Sequence, residues 1–130
     1  SKGFSFVIND GTGLYASKTQ YYLPIHCGNK LKELHIDIGQ DKFDEIEKIV
    51  ESTDLWSARA SDIPGCRPIE PEPDGDYYQF TSPTRQVTLS IPYCSRVDEK
   101  YKTPLDTIRS IIRTESDKHE IKVGYHCIKF

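Results

Sequence analysis

The sequence predicts an α+β domain: a mostly antiparallel sheet with two amphipathic helices, in the order βββα, long loop, ββαβ, held by two disulfides. Three observations predict it. Several short runs alternate apolar and polar residues with a period of two, which is the signature of half-buried strands. Two other runs place apolar residues three and four apart, as a helix with one buried face does. Four cysteines are spread along 130 residues with no Cys-x-x-Cys pair, which favours crosslinks over a zinc ribbon or a thioredoxin-like site. The length suits one domain, residues 1 to 130, and is too short for two independent cores.

Taken in order, residues 4 to 8 (Phe-Ser-Phe-Val-Ile) read as a strand, and Asn9-Asp10-Gly11-Thr12-Gly13 as the turn after it. That turn lacks the Lys-Ser/Thr ending of a phosphate loop. Residues 18 to 27 predict a second strand, Gly28-Asn29 a turn, and the alternation of Leu34, Ile36 and Ile38 a third strand. Asp41 is the expected N-cap of a helix over 42 to 52, whose inner face is Phe43, Ile46, Ile49 and Val50. Leu55 and Trp56 follow at once and are expected to fold back beneath it as an apolar plug. From Ser57 to Gly75 periodicity is lost and Pro64, Pro68, Pro71 and Pro73 appear, so this stretch reads as a long loop. Residues 76 to 82 and 85 to 94 form a hairpin in which Ser82 faces Arg85. Thr103-Pro104-Leu105-Asp106 reads as a cap with a first-turn proline, opening a second helix over 104 to 114. Ile121, Val123, Tyr125 and Cys127 alternate in an expected final strand.

The cysteine pairing follows from these registers. Extrapolating the hairpin ladder puts Cys94 opposite position 73, within a short loop of Cys66, and the final strand brings Cys127 to Cys27 at the end of another. Cys66–Cys94 and Cys27–Cys127 are therefore expected, worth roughly 3.5 and 4.7 kcal/mol in chain entropy. Disulfides, together with the absence of methionine even at position 1, predict a chain that lost a signal peptide or was trimmed and works in the periplasm or outside the cell. His26-Cys27 and His126-Cys127 invite a metal site, but neighbours on a strand point to opposite faces, so no metal and no cofactor is expected.

Charge is uneven. Residues 41 to 76 hold eleven acidic and four basic side chains, while the whole chain is −3 and has a pI near 5.8. That excludes the basic stripe of a nucleic-acid binder, and no apolar run is long enough for a membrane span. No Gly-x-Ser-x-Gly elbow or other nucleophile arrangement is present, and Asp74-Gly75-Asp76 lacks the rest of a calcium loop, so the chain is not expected to be an enzyme. What remains is Glu70-Pro71-Glu72-Pro73-Asp74-Gly75-Asp76 with Tyr77 and Tyr78 beside it. Acids at alternate positions of a proline-stiffened segment, next to tyrosines, make a preformed anionic surface for a cationic protein partner. The plainer reading of the same residues is a solvated linker.

A helix followed by Asp54-Leu55-Trp56, then Gly65-Cys66, Asp74-Gly75, a hairpin ending in Tyr93-Cys94, and a helix opening Pro104-Leu105 together resemble small exported bacterial domains of the immunity-protein and enzyme-inhibitor kind, over residues 43 to 114. The resemblance implies a stoichiometric binder that blocks a secreted or periplasmic enzyme such as a cell-wall hydrolase, as an immunity protein blocks its toxin. The competing expectations are a secreted effector or carbohydrate- or protein-binding module and, behind these, a small hydrolase.

Overall fold

The computed structural model describes residues 3–9, 15–17, 20–27, 30–66 and 75–127, with the backbone alone across residues 15–37 and most of the chain after residue 115. Strands β1 (Ser5–Asn9), β2 (Tyr15–Ser17), β3 (Gln20–Cys27) and β4 (Lys30–Asp37) precede helix α1 (Gln40–Ser52). Two 3₁₀ turns, Asp54–Ser57 and Ala60–Asp62, lead towards β5 (Gly75–Thr81), β6 (Gln86–Pro92) and helix α2 (Glu99–Cys127). All strands join one antiparallel sheet in the order β4-β3-β2-β1-β5-β6. The chain thus runs outward from β1 to one edge, crosses by α1, and returns to β1's other side.

One face of β1, β5 and β6 makes the core. Phe6 lies opposite Phe80 and Phe80 opposite Val87; Ile8, Tyr78 and Leu89 form the next rung. All six are 6% exposed or less. From the helices, Phe43, Ile46 and Val50 and then Leu105, Ile108 and Ile112 close the same core. The three- and four-residue spacings of the sequence therefore mark the buried stripes, each large aliphatic side chain contributing about 1.5–3 kcal/mol.

The hairpin register holds as expected. The Ser82 N–H donates to the Arg85 carbonyl at 2.8 Å, and every β5–β6 pair keeps that ladder. Cys66 and Cys94 are joined, their Cα atoms 5.5 Å apart. Side chains at Cys27 and Cys127 lie outside the described residues, although α2 does touch β3.

Four expectations are corrected. The short strand β2 was absent from the expected order; at three residues it carries too little pattern to show. Helix α1 starts at Gln40 with Gly39, φ 83°, at its cap, and Asp41 is a first-turn residue facing the helix dipole instead of capping it. Helix α2 opens a turn before Pro104, because Asp98 accepts the Lys100 N–H at 2.9 Å through its side chain and the Tyr101 and Lys102 N–H groups through its carbonyl. The expected final strand is helical: α2 continues unbroken to Cys127. Alternation over residues 121 to 127 is too short to separate the two periods, and a helix already nucleated adds residues far more readily than a new one starts. The order is thus ββββαββα, and the plug after α1 is Leu55, wholly buried, with Trp56 half-buried at the surface.

Candidate functional site at the crosslinked end of the sheet

Gly75 opens β5 opposite Pro92, where a Cβ would press into the Ile91 carbonyl and lie 2.8 Å from the Pro92 Cα. Only glycine fits there. Two residues beyond Pro92, Cys94 is tied to Cys66, and the Ser95 hydroxyl donates to the Pro64 carbonyl at 2.6 Å. The acidic segment therefore departs from a crosslinked residue and re-enters the fold beside it. Glu70, Glu72 and Asp74 lie outside the described residues. Between Cys94 and the sheet stands Tyr93, 53% exposed and the one large apolar side chain so open among the described residues.

The other expected contact residues are placed differently. Asp76 pairs with Ile91 on the rung below Tyr78, so alternation turns it to the helix-facing side. Its carboxylate is only 10% exposed and accepts a hydrogen bond from an Arg109 Nη of α2. Tyr78 is 2% exposed, its hydroxyl 3.5 Å from Asp76, so it belongs to the core and cannot anchor a partner. Tyr77 faces the opposite side of the sheet, half-buried, its hydroxyl 3.4 Å from the Gln79 side chain. Asp76 is thus no part of the expected fan of acids.

Arg109 links onward. Its other Nη donates to Asp106 at 3.4 Å, and Lys102 donates to the same carboxylate at 2.9 Å, so charges alternate Asp76, Arg109, Asp106, Lys102 from the buried end to the rim. The hydrogen bond to Asp106, then the charges of Asp106 and Glu99, hold the Lys102 ammonium above lysine's ordinary pKa. A cavity of about 240 Å³ lies beside this chain of charges, floored by Ile91, Pro92, Val97 and Leu105 with Tyr93 at one wall. Lys102, Asp106 and Arg109 were not singled out from the sequence: their four- and three-residue spacing marks one helical face only once the helix starts at Glu99, ahead of the expected residue 104, and their partner lies across the sheet.

A second polar cluster is a staple. Arg85 lies over the Trp56 ring at 4.5 Å, and both donate to Glu51, at 3.4 and 3.1 Å, fastening the β5–β6 turn to the end of α1. Among the described residues no three His, Cys, Asp or Glu side chains gather as a metal-holding group, and no helix is long and apolar enough to cross a membrane. His126 lies on α2, so the strand alternation argued for it does not apply; its side chain is outside the described residues. The sequence matches no family model and shows no significant similarity to any curated protein.

Proposed function

We propose that this chain is a non-enzymatic binding protein of the periplasm or the extracellular space, a stoichiometric inhibitor or immunity-type partner of a cationic enzyme such as a cell-wall hydrolase. The observation that carries the reading is the Cys66–Cys94 crosslink: it anchors the acidic segment at the sheet end where Tyr93 is exposed. Anchoring both ends of a binding segment lowers the entropy lost on association. Carboxylates at such a rim act mainly on the association rate and its salt dependence, whereas a well-packed aromatic acts on dissociation.

The test starts with pull-down from envelope extract and culture fluid. With a purified partner, Glu70, Glu72 and Asp74 are changed together to Ser, and Tyr93→Ala is made separately. The triple change is expected to slow association by about tenfold at low salt and to flatten its salt dependence, and Tyr93→Ala to speed dissociation. A partner whose rates ignore both changes would remove this end of the sheet as the contact surface.

A further inference from the structure

We propose that the cavity between the end of the β5–β6 hairpin and α2 is a binding site for a small organic carboxylate with an apolar body. Both carboxylates at the cavity are committed to cations: Asp76 to Arg109, and Asp106 to Arg109 and Lys102. Lys102 differs. Among the described residues its ammonium makes one hydrogen bond, to Asp106, so N–H donors remain at the rim, where the side chain is 53% exposed. A guest therefore meets an ammonium donor at the mouth and the apolar surface of Ile91, Pro92, Val97 and Leu105 below, with the Tyr93 ring as a wall. A cation would have to displace Lys102 or Arg109 from an existing ion pair. An uncharged apolar guest would leave the donor unused. A carboxylate can accept from Lys102 without disturbing Asp106, and such a charge-assisted bond is the stronger kind. At about 240 Å³ the space lies just below the range typical of drug-sized ligands. The site takes none of Glu70, Glu72 or Asp74 and shares only Tyr93 with the protein-binding reading, so Lys102→Gln tests it apart from that reading.

The probe is 3-phenylpropionate, titrated into the whole chain and followed by backbone amide NMR, with its primary amide as the uncharged control. Saturable shifts confined to residues 91–97 and 102–109 are expected, with a Kd of about 1 mM and binding of the amide at least about tenfold weaker. Lys102→Gln should weaken the acid by about tenfold and leave the amide unchanged, while Lys118→Gln, on the same helix but away from the cavity, alters neither. Val97→Phe, which fills the floor, should abolish both. The proposal is overturned if no saturable shift appears at about twenty times the expected Kd, if acid and amide bind alike, or if Lys102→Gln binds the acid as the parent does.

Discussion

At the scale of the residue, Asp76 shows how a side chain can be read correctly in type and wrongly in place. Its position two before Tyr78 and four before Phe80 puts it on the core face by alternation alone, yet the acidic run before it drew it into the loop. Its partner, Arg109, comes from a helix 33 residues away, and no local pattern announces such a pairing. Because Arg109 remains about a third exposed, Asp76→Asn is expected to lower stability in urea by about 1–2 kcal/mol, short of the loss from a wholly buried pair. Asp76→Asn combined with Arg109→Met should cost less than the two changes summed, because no charge is then stranded. Additive losses would mean the two side chains are not coupled.

At the scale of the element, the hairpin was legible because alternation on both runs and a compact turn fix one register, and the register then places Cys94. Reducing or replacing Cys66–Cys94, which closes a separation of 28 residues, is expected to cost roughly 3.5 kcal/mol, read as a shift in the denaturation midpoint on adding dithiothreitol. Helix boundaries were less legible. Thr103-Pro104 imitates a helix start, but a side-chain cap one turn upstream at Asp98 takes precedence, and the helix accommodates the proline within it. The end of α2 offers a direct comparison of strand and helix. Glycine inside a helix costs about 1 kcal/mol relative to alanine, so Gly124→Ala should raise both helicity by circular dichroism and stability in denaturant, by up to that amount. Loss of helical signal in that variant would count against a helix at this end of the chain.

At the scale of the whole molecule, the class was legible and the order was not. Periods of two and 3.6 and the cysteine spacing carry the α+β class and the crosslink, whereas strand order depends on which edge the chain returns to after α1, a choice made by packing and not by any segment. The charge imbalance was legible as a count, but only folding separates the acids into those that hold α2 and those left to the loop. The second crosslink expected from the sequence, Cys27–Cys127, was argued from a final strand that is helix in the fold, so its test is chemical. Peptide mapping without reductant is expected to recover it beside Cys66–Cys94, with no thiol reacting in the native protein. A free thiol at either position would remove both that crosslink and its share of the argument for export.

Gly75 and the Cys66–Cys94 bond together mark out a cassette. The crosslink fixes where the chain leaves at Cys66, and the glycine is the one residue type that can re-enter the sheet at position 75, after eight intervening residues. Sequence diversity can accumulate there, by natural drift or in a display library, while the hairpin and both helices keep their register. Exchange of those eight residues is therefore expected to leave the denaturation midpoint near the parent's so long as Cys66, Cys94 and Gly75 stay as they are.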